Sequence, residues 1–306
     1  LRESIYGTEH ESAYAGALSF MRRKYSRDLT GVDIAISGIP FDTATSNRPG
    51  TRFGPAAVRA ASAQLAYGAP WPWSFDPMDT LAVVDYGDCT FDYGSPIGVP
   101  QQIEEHARKV FEQDVSLLSI GGDHFITLPL LRAAVKKYGQ LALVHFDAHS
   151  DTWSDEGNRI DHGTMFWHAV QEGLIDTEHS VQIGIRTHYS DPLGITWLDA
   201  GWVHENGTKA VIEETLRIVG DKQAYLTFDI DCLDPSFAPG TGTPVCGGLS
   251  TYQAQSVVRG LADIGFVAMD MVEVAPAYDT GEVTALAAAS IILDYLCIRA
   301  KALPAR

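Results

Sequence analysis

Short apolar runs alternate with helical patterns along almost the whole chain, and few folds accommodate such a pattern. Most of the runs are continuous in apolar residues, as expected for strands that are buried on both faces of a parallel sheet. The predicted strands span residues 33–38, 81–86, 116–120, 141–146, 181–185, 224–228 and 266–272. The predicted helices span residues 55–67, 101–112, 128–138, 164–172, 209–219, 253–263 and 283–302. This order predicts βαβ units and an α/β fold, a three-layer α/β/α sandwich around a mostly parallel central sheet.

The composition is that of a globular protein, with 45% hydrophobic and 20% charged residues. No internal repeat, low-complexity tract or Pro/Ser-rich linker divides the chain, so we expect one domain over residues 1–306. No run of 18 apolar residues occurs, which argues against a membrane span. The first residues, LRESIYGTEHES, lack a basic flank followed by an apolar stretch, so we expect no signal peptide.

Charge and cysteine content narrow the possible partners. The net charge of −17 argues against a nucleic-acid surface and fits a site that attracts cations, although solubility alone also explains it. The cysteines at positions 89, 232, 246 and 297 have no CxxC spacing, which disfavours a disulfide framework or a cysteine zinc site. A reducing cytoplasm suits them best.

Acids and histidines follow three of the predicted strands. They lie in SLLSIGGDH, LALVHFDAHSD and AYLTFDIDCLDP and comprise Asp123, His124, Asp147, His149, Asp151, Asp229, Asp231 and Asp234. Because residues i and i+2 at a strand end project to the same side, we expect Asp147, His149 and Asp151 to converge. Asp229 and Asp231 would join them from another strand, beyond the carboxyl end of the sheet where α/β folds bind ligands.

Such crowding of carboxylates indicates a metal centre, because buried like charges resist burial unless cations neutralise them. Four aspartates and two histidines without cysteine suit Mn²⁺. Six ligands with bridging carboxylates imply two ions, about 3.5 Å apart, with a hydroxide between them. A single Asp-x-His or Asp-x-Asp more often caps a helix or a turn, but three such segments at strand ends make that reading improbable.

These segments resemble the metal motifs of the ureohydrolases, a family that comprises arginase, agmatinase and their relatives. The matching segments are GGDH at 121–124, DAHSD at 147–151 and FDIDCLDP at 228–235. The similarity continues through GIPFDTATSNRPGTRFGPAAVR, PGTGTPVCGGLS and DMVEVAPAYD, so it covers about residues 33–300. With DHGTMF at 161–166, the sequence is most similar to bacterial agmatinases. The resemblance implies the arginase-like form of the α/β/α sandwich.

The resemblance also implies a division of the ligands between two manganese ions per chain. One ion would be held by His124, Asp147, Asp151 and Asp229, and the other by His149, Asp147, Asp229 and Asp231. Asp147 and Asp229 would bridge the two ions. Asp123 and Asp234 would lie beside the ligands or in turns.

Guanidinium hydrolysis requires three further functions. A carboxylate must hold the planar cation, and Glu273 matches the guanidinium-binding glutamate of the family. A proton must reach the departing amine, and His162 matches the family's proton shuttle. Thr243 is a candidate for orienting the nucleophile or the substrate, although a threonine in a Gly-rich loop is more often part of a turn. The other histidines considered are expected to have surface or packing roles without acidic partners, namely His106, His168, His179, His188 and His204.

The predicted substrate is agmatine, a small cationic guanidine, which would give putrescine and urea for polyamine biosynthesis. Arginases hold the charged end of arginine with polar residues in the loop after DAHxD and with an acid after the IGIR-like strand. In this sequence Trp153 stands in that loop, and Thr187 to Tyr189 follow Arg186, so these partners of arginine are missing. Acids that could receive the ammonium tail are Asp155, Glu156 and Asp161. The alternative is guanidinobutyrate or another ω-guanidino acid, whose carboxylate would bind Arg159; arginine is a less favoured substrate.

Two hypotheses from other classes remain at this stage. A metal-dependent deacetylase shares the architecture but would use one zinc ion, which the surplus of bridging acids opposes. A non-catalytic family member would typically have lost ligands, whereas all six are present. The family resemblance further implies a homo-oligomer, a trimer or a hexamer.

Overall fold

The computed structural model describes residues 12–155, 157, 159–188 and 191–302. Its strands are β1 (Ile34–Ile39), β2 (Val83–Asp88), β3 (Ser116–Gly121), β4 (Ala142–Phe146), β5 (Val181–Ile183), β6 (Thr196–Leu198), β7 (Gln223–Asp229) and β8 (Gly265–Val272). Its α-helices are α1 (Gly54–Ser62), α2 (Val99–Phe111), α3 (Thr127–Tyr138), α4 (Met165–Gln171), α5 (Ala200–Val219), α6 (Thr251–Gly260) and α7 (Val283–Ala302). The predicted alternation of strands and helices is confirmed.

The strands form one sheet in the order β2-β1-β3-β8-β7-β4-β5-β6, and every adjacent pair is parallel. Helices α1, α5, α6 and α7 contribute to a hydrophobic core on one face, and α2, α3 and α4 contribute to a core on the other. The three-layer α/β/α sandwich is therefore confirmed. That residues 1–306 form a single domain stays a prediction.

Strand β1 shows why the apolar runs are continuous. Ile34 and Ile36 belong to the core on one face of the sheet, whereas Ala35 and Ile39 belong to the core on the other. Successive side chains of a strand point to opposite faces, so a strand between two helical layers needs apolar residues at every position.

Two elements differ from the prediction. Strand β6, at the edge of the sheet, was not predicted because its three residues are too short for a periodic pattern. Helix α5 begins at Ala200 and not at residue 209, with the carboxylate of Asp199 accepting the N–H of Trp202 at its start. Gly207, with φ 78°, interrupts the helical backbone inside α5, and the predicted pattern covered only the part beyond this break.

Helix α7 is long and apolar enough to cross a membrane, with a mean hydropathy of 1.7. However, 78% of its most apolar window is buried inside the protein, and the helix packs against α1 and α6. This burial is the arrangement of a core helix.

The strand order brings together the segments that carry the predicted ligands. Strands β3, β8, β7 and β4 are consecutive in the middle of the sheet. Because they are parallel, the loops that leave their carboxyl ends lie side by side, at the position where α/β sheets bind ligands.

Candidate metal centre

Three carboxylates surround the ring nitrogen Nδ1 of His124. Oxygens of Asp147, Asp151 and Asp229 lie 3.0, 2.9 and 3.3 Å from this nitrogen, and all four side chains are buried. Within the described residues, Nδ1 of His124 has no hydrogen-bond partner. This buried nitrogen and the three carboxylates together form a set of ligand atoms for a cation.

A chain of hydrogen bonds fixes the tautomer of His124. Thr227 donates its hydroxyl proton to Asp270 at 2.6 Å, so its oxygen accepts from Nε2 of His124 at 2.9 Å. Tyr225 and Thr127 also donate to the Asp270 carboxylate, at 2.8 and 2.9 Å. Since the proton of neutral His124 is on Nε2, the lone pair of Nδ1 points at the carboxylates, as a metal ligand requires.

A second group of donors lies around His149. Its Nδ1 is 3.1 Å from Asp231 Oδ2 and 3.3 Å from Asp147 Oδ1. The His149 side chain is 26% exposed, whereas that of His124 is 1% exposed. Asp147 faces both groups, one through each carboxylate oxygen, so it links a buried half of the centre to a half that opens to solvent.

The ligands converge as predicted, but not for the predicted reason. Strand β4 ends at Phe146, so alternation along a strand does not align Asp147, His149 and Asp151. Instead Asp147 accepts the backbone N–H of His149 at 2.6 Å, and Asp151 has a left-handed backbone with φ 53°. After β7, Asp229 likewise accepts the N–H of Asp231, which lies in a short 3₁₀ turn. Tight turns capped by the carboxylates themselves bring the side chains together.

The electrostatics of the cluster require positive charge. Burial and repulsion from Asp231 and Asp147 raise the pKa of Asp229 well above its usual value, and burial and Asp147 raise that of Asp151. For Asp147, burial is outweighed by His145 and by the neighbouring His124 and His149, so its pKa falls well below its usual value. Carboxylates at such separations do not all stay ionised without cations. The donors, oxygen and imidazole nitrogen without thiolate, fit divalent metal ions.

Beside the cluster, His162 and Glu273 form a buried pair. Nδ1 of His162 lies 2.9 Å from Oε1 of Glu273, and the same oxygen accepts the backbone N–H of His124 at 2.9 Å. Burial alone would lower the pKa of His162, but Glu273, Asp151 and Asp123 raise it to about 9. The other oxygen of Glu273, Oε2, is buried and has no hydrogen-bond partner among the described residues.

The remaining predicted residues lie around this cluster. Thr243 donates to Asp231 Oδ2 at 3.2 Å, which places its hydroxyl beside the more open half. Asp123 accepts the backbone N–H groups of Ala44 and Phe125, at 2.8 and 3.1 Å. Asp234 accepts those of residues 247 and 248, at 2.7 and 3.2 Å. Both aspartates therefore hold turns, as the sequence predicts.

His145 also contacts the cluster, although the sequence did not predict it. Its Nε2 lies 2.8 Å from Asp147 Oδ2, and Gln182 donates to its Nδ1 at 2.9 Å. The neutral ring therefore carries its proton on Nε2 and donates it to Asp147. The available signal was a histidine inside the continuous apolar run of β4, and Asp270 in β8 is a similar polar interruption.

The loop that follows Asp151 differs from the prediction. Asp155 is buried and pairs with His168 at 3.2 Å, so it does not offer a free carboxylate to an ammonium group. His168 pairs with Asp155, and His179 pairs with Asp176; the sequence did not suggest either acidic partner. Asp161 lies 3.3 Å from the exposed Arg159. Glu156 and Tyr189 lie outside the described residues.

Comparison with known proteins gives a consistent result over nearly the whole chain. A family model described as the arginase family matches residues 32–297. A curated agmatinase from Chromobacterium violaceum is 56% identical over 97% of this chain and 93% of its own length. Among solved structures, a hypothetical agmatinase from Burkholderia thailandensis has a TM-score of 0.96 at 57% identity, covering 98% of this chain and 96% of its own. Proclavaminate amidino hydrolase from Streptomyces clavuligerus has a TM-score of 0.92 at 36% identity, covering 96% and 100%.

Proposed function

This chain belongs to the arginase family, and from that premise we propose that it hydrolyses agmatine to putrescine and urea with two manganese ions. One water molecule is consumed: its oxygen becomes the carbonyl oxygen of urea, and the departing nitrogen leaves as an ammonium group. The total charge is the same before and after the reaction. The protein therefore has to hold a cation, direct a water-derived oxygen at its central carbon, and move a proton to the departing nitrogen.

The unpartnered oxygen of Glu273 is the observation that carries this proposal. A guanidinium ion has only N–H donors, and a buried carboxylate oxygen without a partner is the acceptor it needs. A Cβ on Gly242 would lie 3.4 Å from this oxygen, so the absence of a side chain there keeps the space beside Glu273 open. The bonds of the other oxygen, Oε1, to His162 and to the backbone N–H of His124 hold the carboxylate in this position.

The two donor groups would hold the manganese ions as the family resemblance implies. His124, Asp147, Asp151 and Asp229 would bind one, and His149, Asp147, Asp229 and Asp231 the other. The contacts around His124 support the first set, and those of His149 with Asp147 and Asp231 support the second. A bridging role for Asp229 rests on the family resemblance. Ions bound there would supply a hydroxide near neutral pH by lowering the pKa of a water molecule. Thr243, which donates a hydrogen bond to Asp231, would orient the nucleophile or the substrate.

His162 is proposed to deliver the proton to the departing amine. It is mostly buried and pairs with Glu273, the residue that would hold the guanidinium group. An imidazole beside the substrate-binding carboxylate can alternate between its two protonation states during one turnover.

The choice of agmatine rests on the relatives, which are named agmatinases, and on the surroundings of Trp153. This side chain is 52% exposed, and its backbone N–H bonds the carbonyl of Gly163, next to His162. An exposed indole near His162 carries no positive charge to match the carboxylate of arginine and offers it a single N–H donor. Asp155 already pairs with His168, so we do not assign it as the carboxylate that receives the ammonium tail.

Turnover of three guanidines decides the substrate. With manganese-loaded protein, kcat/KM for agmatine should exceed that for L-arginine and 4-guanidinobutyrate by about 10²-fold or more, because burying an unmatched carboxylate is unfavourable. Arg159→Ala should leave the rate with agmatine unchanged. A preference for guanidinobutyrate that disappears in Arg159→Ala would favour the ω-guanidino acid alternative. Urea release from none of the three would contradict the proposed function.

The cellular setting follows as part of the same proposal. We place the enzyme in putrescine biosynthesis in the cytoplasm, where its cysteines, all free in the described residues, would stay reduced. The expected homo-oligomer, a trimer or a hexamer, stays a prediction.

A further inference from the structure

Ser46 lies in the loop between β1 and α1 and contacts His162 twice. Its hydroxyl oxygen is 2.7 Å from Nε2 of His162, and its backbone N–H donates to the same nitrogen at 3.0 Å. Ser46 is exposed, whereas His162 is 9% exposed. The serine therefore stands between a buried imidazole and solvent.

Hydrogen bonds hold this loop in a fixed conformation. Asp42 accepts the N–H of Gly50 at 2.9 Å and the guanidinium Nε of Arg52 at 2.5 Å. Ala44 donates to the buried Asp123, and Asn47 donates from its amide to the carbonyl of Gly242 at 3.0 Å. Hydrogen bonds on both sides of Ser46 thus hold it beside His162.

The two protonation states of His162 need different partners at Nε2. Nδ1 is occupied by Glu273, so proton exchange with water has to pass through Nε2. The backbone N–H of Ser46 only donates, and it suits the neutral imidazole. When Nε2 carries a proton it needs an acceptor, and of the two Ser46 groups at this nitrogen only the hydroxyl can accept.

We propose that Ser46 is a positioning residue for His162. The hydroxyl of Ser46 carries protons between Nε2 of His162 and solvent. In the outward step the Nε2–H bond breaks as an Oγ–H bond forms, while the original O–H bond of Ser46 breaks and its proton passes to a water molecule. The inward step reverses these changes, and Ser46 is unaltered after each transfer. The role of this relay in turnover rests on the proposed function.

Ser46→Thr and Ser46→Val provide a matched pair, because threonine and valine have nearly the same shape and only threonine has a hydroxyl. In manganese-loaded protein, kcat of Ser46→Val should fall about tenfold or more below that of Ser46→Thr, since general acid–base steps contribute about 10²–10⁴-fold. KM should change by less than about twofold, because Ser46 acts on proton transfer and not on substrate binding. Metal content and melting temperature, measured for both variants, should agree.

The protonation of His162 gives a readout that does not depend on turnover. Diethyl pyrocarbonate acylates the unprotonated ring, and peptide mapping reports the reaction at His162 across a pH series. The facing charged groups are Glu273, Asp123 and Asp151, which both variants retain. Because Ser46→Val lacks the acceptor for the imidazolium, its profile should move to lower pH than that of Ser46→Thr.

Equal kcat values and equal modification profiles would overturn the proposal. A change in KM with kcat unaffected would also overturn it, since Ser46 would then contact the substrate. If the wild-type protein releases no urea from any guanidine, the proposed function fails, and the modification profiles still decide whether Ser46 controls His162.

Discussion

The two halves of the candidate metal centre use similar ligands in different surroundings. Around His124 the donors are buried, and Thr227 and Asp270 hold the ring from behind. Around His149 the imidazole is partly exposed, and its carboxylate partner Asp231 also receives Thr243. The difference teaches that the half around His124 is shielded from bulk solvent by protein, whereas the half around His149 is partly open to it.

This contrast predicts unequal costs for disturbing the two halves. A buried carboxylate group that loses its counter-charge has no solvent to replace it, whereas a half that opens to solvent can take up water as a substitute ligand. Asp147 faces both halves, so its substitution should weaken cation binding in both. Four comparisons test these expectations, in decreasing order of effect.

Asp147→Asn should abolish binding in both halves. The asparagine keeps the shape of the side chain but removes the charge that faces His124 and His149. We expect elemental analysis after dialysis to find both ions lost, and kcat/KM to fall by about 10³-fold or more, since bound metals supply several kcal/mol of transition-state stabilisation. The exposed Asp221→Asn is the control. One ion retained per chain would show that the halves bind independently.

His124→Asn and His149→Asn compare the halves directly. Calorimetric titration with Mn²⁺ should show a loss of affinity at least about tenfold greater for His124→Asn, because a buried unsatisfied group costs about 1–3 kcal/mol. High manganese concentrations should restore activity to His149→Asn only. An equal loss in the two variants would contradict the distinction between a buried and an open half.

Thr227→Val tests the support behind the buried half. Valine removes the acceptor for Nε2 of His124 and one donor to Asp270, and such outer partners typically contribute about 10–100-fold to metal affinity. Thr215→Val makes the same change in α5, where the buried hydroxyl has no hydrogen-bond partner in the described chain. Only Thr227→Val should weaken manganese binding; the same affinity in both variants would mean that the support is dispensable.

Gly242→Ala should have the smallest effect and act on the substrate alone. The added Cβ would lie 3.0 Å from the carbonyl oxygen of Arg48 and 3.4 Å from Glu273 Oε2. Crowding of this kind typically costs about 1–3 kcal/mol, so kcat/KM for agmatine should fall about tenfold with manganese content unchanged. A loss of metal instead would place Gly242 in the support of the metal centre.

The fold and most of the candidate site could be predicted from the sequence because both depend on local patterns. Continuous apolar runs identified buried parallel strands, and charged residues directly after them identified the end of the sheet that binds ligands. Strand β6 and the first part of α5 were not predicted, because a strand of three residues and a helix interrupted at Gly207 show little periodicity in the sequence.

Contacts between distant segments could not be predicted from the sequence, for a different reason. Asp155 was predicted to be free to bind the substrate, but it pairs with His168. His145 and Ser46 were not predicted to take part in the site, but His145 contacts Asp147 and Ser46 contacts His162. Nothing in the neighbouring sequence reports such partners, because they depend on how separate loops pack.

The sequence by itself determined the order of strands and helices, the three acidic segments after them and, by resemblance, the family. Only the tertiary structure decided that β3 lies beside β8 and β4 beside β7, although neither pair is consecutive in the chain. It also decided which half of the centre is closed and which nitrogen of His124 faces the carboxylates. The physical reason is that periodicity reports which face of an element is buried, whereas burial of a given ligand and the direction of its hydrogen bonds depend on the side chains that pack against it from elsewhere.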